Sequence, residues 1–384
     1  MSAGVYIHIP FCKSRCSYCD FATDVFKSGD TVQRYVDALV KEIDSFAHIR
    51  PPVYAGGSDL DSIGVDTIYL GGGTPSLLSP DQIDIILKTG RAKFNVDPSA
   101  EITMEMNPAT VTAETLAGYL ALGINRASFG VQTFDNTELK RLARGHTADD
   151  ARQTYRMLRD TGFENISFDL IAGLPRQTLD DWKRNVAEAL SMRPEHLSLY
   201  LLEIHDGTPL AEQLRTERQP VPDPELAAMM YEHLLRKLNS AGYEQYEISN
   251  FALPGFESRH NTKYWTLDPV IAFGVSAHSF DGRSRFANVR DTAAYVDSIE
   301  SGRSAEVFRE ETNVTIETAF LNLRLNRGVD LAAYETSFGF QLDEKYSKEI
   351  ARVRDAGLVE FVAGRLRLTP KGRLYSNEVF AIFV

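Results

Sequence analysis

The chain has 384 residues, with 41 basic against 53 acidic side chains and a net charge of −12. That sign repels phosphate backbones and argues against nucleic acid as a partner. Apolar residues make up 43% and charged ones 24% of a globular composition without a basic-apolar leader, and no run reaches the ~18 apolar residues of a membrane span, so a cytoplasmic protein is expected.

From Val5 to about Ile204, short β-rich runs alternate with amphipathic helical stretches, the rhythm of repeated βα units. The runs lie at 5–9, 66–70, 101–106, 127–131, 166–171 and 196–202. Six such units, not eight, predict a partial (β/α)6 barrel open on one side. Between the first two runs Val32, Tyr35, Val36, Leu39, Val40, Ile43 and Phe46 recur at helical spacing and give one stripe able to pack on a sheet. Ser79-Pro80-Asp81 and Thr178-Leu179-Asp180 fall where helix N-caps belong, and Gly123 and Gly162 where helices should stop. A Pro-rich break at 219–224 closes this barrel, assigned to 1–220, and leads into a helix over 225–239. Residues 221–311 are read as a connecting and covering region. Residues 312–384 read as a small α+β module, with helical patterns at 313–325 and 343–356 and a hairpin at 358–368 turning on Ala363-Gly364. Helices followed by a β wing resemble a winged-helix arrangement.

Every cysteine of the chain lies in one loop: Cys12, Cys16 and Cys19, spaced C-x3-C-x2-C. Three thiols within eight residues cannot form a disulfide framework, and the spacing points to metal ligation. Three thiolates on a loop leaving the first strand can grip three irons of a [4Fe-4S] cube and leave the fourth iron open. A structural zinc with His8 or Asp20 as fourth ligand is the alternative. Acid-base dyads, a Ser-His-Asp arrangement and a Walker A loop are not visible, so no catalytic residue is assigned.

The stretch "YIHIPFCKSRCSYC" resembles the cluster loop of radical S-adenosylmethionine (SAM) enzymes, and specifically the group around oxygen-independent coproporphyrinogen III oxidase, over essentially the whole chain. The resemblance implies a TIM-like radical SAM barrel with a [4Fe-4S] cluster on Cys12, Cys16 and Cys19. In that superfamily SAM chelates the open iron, and one electron from the cluster breaks its sulfonium bond to give methionine and a 5′-deoxyadenosyl radical. An external electron donor such as flavodoxin or ferredoxin is implied.

The remaining motifs follow the strands, where such a site should recur. "LGGGTP" brings Gly72, Gly73 and Thr74, whose bare backbone lets a ligand approach closely, although an ordinary tight loop would read the same. "EMNP" ends the third run with Glu105, "RASFGVQTF" the fourth with Gln132, "RLARGH" presents Arg144, and "SFDLIAGLP" closes the fifth with Asp169. The resemblance assigns all four to SAM. Taken alone, Arg144 reads as a solvated helix-end cation, and Asp169 as a strand carboxylate needing a partner. Tyr6 and Tyr18 flank the thiols and are placed by the resemblance against the cofactor, core packing being the alternative.

Two departures set the chain apart from the oxidase. The oxidase carries a fourth cysteine two residues after the third, where Phe21 stands here, and an extended N-terminal segment, where eleven residues precede Cys12. In their place stands "HNTKYW", His260 to Trp265, which matches the H-N-x-x-Y-W motif of the HemW haem chaperones of the same superfamily. That resemblance implies haem binding, with His260 as iron ligand and Tyr264 and Trp265 as flat faces, and delivery to haem-requiring proteins such as respiratory enzymes. Without it, the motif reads as a surface loop with a satisfied histidine and two core aromatics. His278 in "FGVSAHSF" is a second candidate, for haem or for the SAM pocket. Homodimerisation and transient membrane contact complete the expected partners, and decarboxylation of coproporphyrinogen is the alternative activity.

Overall fold

The computed structural model describes residues 2–26, 28–46 and 64–384. Twelve strands form one sheet: β1 (Ala3–Ile9), β2 (Gly64–Gly72), β3 (Asn95–Met106), β4 (Arg126–Gln132), β5 (Ile166–Ala172), β6 (His196–Leu201), β7 (Glu244–Gln245), β8 (Asn250–Ala252), β9 (Val270–Phe273), β10 (His278–Phe280), β11 (Ser284–Asn288) and β12 (Glu306–Glu311). Their order is β12-β11-β10-β9-β1-β2-β3-β4-β5-β6-β8-β7. Strands β9 and β1 to β6 run parallel to their neighbours, while β7, β8 and β10 to β12 continue the two edges antiparallel. Among the described residues the sheet therefore has two unpaired edges and forms an open barrel.

The first six parallel strands coincide with the six runs of the sequence because those runs are buried on both faces and read as near-continuous apolar segments. Along β1, Val5, Ile7 and Ile9 pack outward into the main core, while Tyr6 turns inward to stack on Tyr69 with ring centroids 6.0 Å apart. The helices on the outer face are α1 (Gly29–Ser45), α2 (Pro80–Lys93), α3 (Ala113–Ala121), α4 (Asn136–Arg141), α5 (Ala148–Thr161) and α6 (Leu179–Met192). On α1 the buried residues Val32, Tyr35, Val36, Leu39 and Ile43 keep the helical spacing read from the sequence. Among the described residues no helix is long and apolar enough to cross a membrane.

Local chemistry ends these helices. Thr147 caps α5 by accepting from Asp150 N while the Asp150 side chain accepts from Thr147 N, and Gly162 closes the other end at φ 107°. Replacing Thr147 with alanine removes an acceptor for an orphan helix N–H and should lower stability by about 1 kcal/mol. A urea-unfolding midpoint indistinguishable from that of the parent would contradict this, and Thr147→Ser should restore it.

Residues 221–311 contribute more than a cover. After α7 (Pro209–Arg215) and α8 (Pro224–Ser240) they add β7 to β12, α9 (Arg259–Thr266) and α10 (Thr292–Glu300) to the same body. Their strands, two to six residues long, are too short for the period-2 pattern to register in sequence. The C-terminal module begins with α11 (Val314–Arg324) and holds its own three-stranded sheet of β13 (Val329–Asp330), β14 (Val359–Val362) and β15 (Arg365–Leu368), in the order β13-β15-β14. Leu323, Tyr334, Leu342, Ile350, Val359 and Leu366 form a core separate from that of the barrel.

Candidate cofactor site

All parallel strands end on one side, and the cysteine loop leaves the end of β1 there. Cys12, Cys16 and Cys19 are free, half-buried thiols. His8 ties the two limbs of their loop together: its Nε2 lies 2.8 Å from Ala22 O and its Nδ1 3.1 Å from Tyr6 Oη. Next to it the Gly-rich turn closes down on the loop. Gly73 N donates to Ile9 O at 2.7 Å, and a Cβ on Gly73 would meet Pro10 and Phe11 backbone atoms at 2.7 to 2.8 Å. Gly72 sits at φ 108° against the His8 ring. Only glycine fits both positions.

Thr74 Oγ1 donates to Cys12 Sγ at 3.5 Å and accepts from Asn107 Nδ2 at 2.6 Å. Arg144, half-buried behind the loop, donates through Nη1 to Cys16 Sγ at 3.4 Å and through Nη2 to Asn107 Oδ1 at 2.7 Å and Gly130 O at 2.6 Å. It is therefore no solvated helix-end cation. Its Nε is buried without a partner among the described residues. Tyr18 packs against Leu142, Ile171 and Leu174 beside the same guanidinium. Gln132 ends β4 at φ 66°, a left-handed conformation uncommon for a residue with a side chain, and folds back over Gly130.

Two carboxyl groups face the interior. Glu105 accepts from Tyr69 Oη at 2.7 Å and from Gly72 N at 3.0 Å, and burial pushes its pKa up to about 7 despite those bonds. Asp169 is pushed up to about 6, again by burial, with Ser198 and Arg144 opposing. Below them Tyr69, Arg126, Ser128, Ser167 and His196 line a cavity of about 40 Å³, room for a few waters and not for a nucleoside.

The residues fit a thiolate-held cluster with a small polar ligand. Burial pushes the Cys12 thiol up to about 11, so its thiolate form needs a cation, which a cluster iron supplies. Of the two candidate fourth ligands for zinc, His8 has both ring nitrogens engaged, and Asp20 pairs at the surface with Arg290 at 3.1 Å. Among the described residues no three His, Cys, Asp or Glu side chains gather about one point as a single ion demands. The unpaired Arg144 Nε and the glycine cradle leave backbone and guanidinium N–H groups for an anionic ligand.

The H-N-x-x-Y-W stretch is elsewhere. It forms α9, which plugs the opposite, N-terminal end of the barrel: Arg259 N and His260 N donate to Glu101, and Lys263 pairs with Asp66 at 2.8 Å. His260 is buried, with Nδ1 2.9 Å from Thr67 Oγ1 and Nε2 3.2 Å from Tyr264 Oη, its ring stacked 5.1 Å from Tyr69. Burial holds its pKa down to about 3. Both ring nitrogens being occupied, His260 in this packing offers no lone pair to iron, and Tyr264 turns inward with it. Trp265 lies under Arg324 of α11, 4.2 Å from the ring centroid, and joins barrel to C-terminal module. His278, by contrast, is exposed on the cysteine side. Sequence reasoning misses Tyr69 and takes His8 only as an alternative zinc ligand; the alternation Thr67, Tyr69 along a strand is the one available signal that Tyr69 points inward.

The model of the radical SAM superfamily matches residues 6–189, and that of the HemN C-terminal domain residues 312–375. Heme chaperone HemW of Bacillus subtilis is 36% identical over 387 residues, 99% of each chain, and HemW of Escherichia coli 33% identical over 99% of this chain and 98% of its own. This chain belongs to the HemW family of radical SAM proteins. The solved structure of coproporphyrinogen III oxidase (HemN) from Escherichia coli, a radical SAM enzyme, matches with a TM-score of 0.84 over 100% of this chain and 90% of that one, at 24% identity. That likeness bears on the fold, which the HemW-family chain shares with the oxidase. Membership in the radical SAM family carries with it a [4Fe-4S] cluster and SAM.

Proposed function

We propose that this protein is a haem chaperone that binds haem and passes it to haem-requiring proteins of the respiratory type, with a [4Fe-4S] cluster on Cys12, Cys16 and Cys19 and SAM across the strand ends. The observation that carries this reading is full-length similarity to HemW proteins together with Phe21, 65% exposed, at the position of the oxidase's fourth cysteine.

When bound, the cluster and SAM supply one-electron chemistry. The residues of the chain hold the site for it. Arg144 places a permanent positive charge 3.4 Å from Cys16 Sγ, facing the negative charge that a thiolate-held cluster would carry. Gly72 N and Tyr69 fix Glu105 in one orientation, so that it meets a ligand already aligned. Tyr6, Tyr18, Gly73, Thr74, Gln132 and Asp169 complete the proposed SAM site. An electron donor of the flavodoxin or ferredoxin type is the proposed reductant, and a homodimer the proposed assembly.

After anaerobic cluster reconstitution, haem retention on gel filtration and coproporphyrinogen III decarboxylation should be measured on the same preparation. Stoichiometric haem without product is expected. Steady turnover of coproporphyrinogen would replace the chaperone reading with the oxidase one.

A further inference from the structure

We infer, on the reading of a [4Fe-4S] cluster at Cys12, Cys16 and Cys19, that Asn107 is a positioning residue which aims hydrogen-bond donors at two of the three sulfurs and so sets the reduction potential of the cluster. Two side chains reach the thiols: Thr74 Oγ1 lies 3.5 Å from Cys12 Sγ, and Arg144 Nη1 lies 3.4 Å from Cys16 Sγ. Asn107 stands between them, with Nδ2 2.6 Å from Thr74 Oγ1 and Oδ1 2.7 Å from Arg144 Nη2. One carboxamide thus links the side chains that serve two different cysteines.

The direction of each bond follows from what the groups can donate. A guanidinium only donates, so the amide oxygen of Asn107 faces Arg144 and its amide nitrogen faces Thr74. The amide N–H then occupies a lone pair of Thr74 Oγ1, and the single hydroxyl proton is left to point at Cys12 Sγ. Among the described residues the Thr74 hydroxyl has only these two partners, and the residue is buried away from competing water.

Local structure holds the carboxamide in place. Asn107 follows the last residue of β3 and precedes Pro108, and its carbonyl accepts from Thr110 N at 3.2 Å and from Thr110 Oγ1 at 2.6 Å. With its proton engaged there, Thr110 Oγ1 accepts from Ser76 Oγ at 2.7 Å, which ties the Asn107 turn to the Gly-rich turn that carries Thr74. On the other side Gly130 O accepts from Arg144 Nη2 at 2.6 Å and anchors the guanidinium to β4. Donors to a cluster-bound sulfur make the added negative charge of the reduced cluster easier to hold, so they raise its potential. Asn107→Asp reverses the relay at nearly constant shape: a carboxylate donates nothing to Thr74 and accepts from it, so the hydroxyl proton turns away from Cys12 Sγ.

The test is a dithionite titration of the full-length, cluster-reconstituted protein without added SAM, in which the oxidised cluster takes up one electron and the reduced form is followed by electron paramagnetic resonance. Thr74→Val removes the donor and keeps the shape; it should lower the reduction equilibrium constant about tenfold, or about 59 mV for one electron. Thr74→Ser should keep the parent potential. Asn107→Asp should lower the potential by at least as much as Thr74→Val. Thr74→Val/Asn107→Asp should fall short of the sum of the two drops, because the proton that Asn107→Asp turns away is already gone. Thr74→Val or Asn107→Asp at the parent potential overturns the relay, and either variant decides this if the other assembles no cluster. Strictly additive drops also overturn it, since added charge alone would then account for Asn107→Asp. Failure of the unaltered protein to assemble a cluster would instead remove the cluster reading on which the relay rests.

Discussion

Serine at any one of positions 12, 16 or 19 is expected to leave the protein essentially free of iron after anaerobic reconstitution. A cubane held by three protein thiolates has one protein ligand for each of three irons and none in reserve. A serine hydroxyl stays protonated near neutral pH and is a hard donor, so it does not replace a thiolate on iron. Thr74 and Arg144 would keep their places in these variants, because their other bonds run to Asn107 and Gly130. The loss should therefore be specific to metal: iron and acid-labile sulfide should fall from about four of each per chain to near zero, while the far-ultraviolet circular dichroism stays that of the parent. Phe21→Cys should leave iron content unchanged, since that exposed side chain is outside the ligand set. Serine variants that keep their iron, or an unaltered protein that holds zinc at these thiols, would end the radical SAM account of the site.

Arg324→Ala should lower stability by about 3 kcal/mol. Glu247 is fully buried, with Oε1 accepting from Ser249 N at 2.8 Å and Oε2 facing Arg324 Nη2 at 3.6 Å. Arg324 also lies over Trp265, so its removal opens the contact between α9 and α11 and leaves a carboxylate without its counter-charge. Burial already raises the Glu247 pKa and Arg324 opposes that rise, so the variant would raise it further. The folded state then binds the proton more tightly than the unfolded chain, and stability falls as pH climbs above the ordinary glutamate value of about 4.3. Accordingly, the deficit in urea-unfolding free energy should be small near pH 4 and full by pH 8. Arg324→Ala/Glu247→Gln should recover much of it at pH 8. A deficit equal at both pH values would show that lost packing on Trp265, and not the unpaired charge, is what matters.

Sequence patterns carried the site only as far as local spacing reaches. The cysteine loop was legible because its ligands lie within eight residues and need no tertiary contact to be recognised. The Gly-rich turn, Glu105, Gln132 and Arg144 were legible because each lies at a strand end or after one, and parallel strands deliver their ends to one side; Asp169 instead sits at the middle of β5 and reaches the interior from within the sheet. The edge strands β7 to β12 were not, since segments of two to six residues owe their pairing to partners far away in the chain.

What the sequence by itself determined is therefore the six βα units, the three-thiol loop and the motifs at the strand ends, because periodicity and spacing are properties of short segments. Only the tertiary structure decided which way the histidines face. His260 and His278 stand eighteen positions apart in similar polar-aromatic stretches, yet one helix drives the first into the barrel base against Thr67, while the register of β10 on β9 turns the second to the open mouth. A one-residue slip in that register would reverse the outcome, and register is set by pairing over long sequence distances.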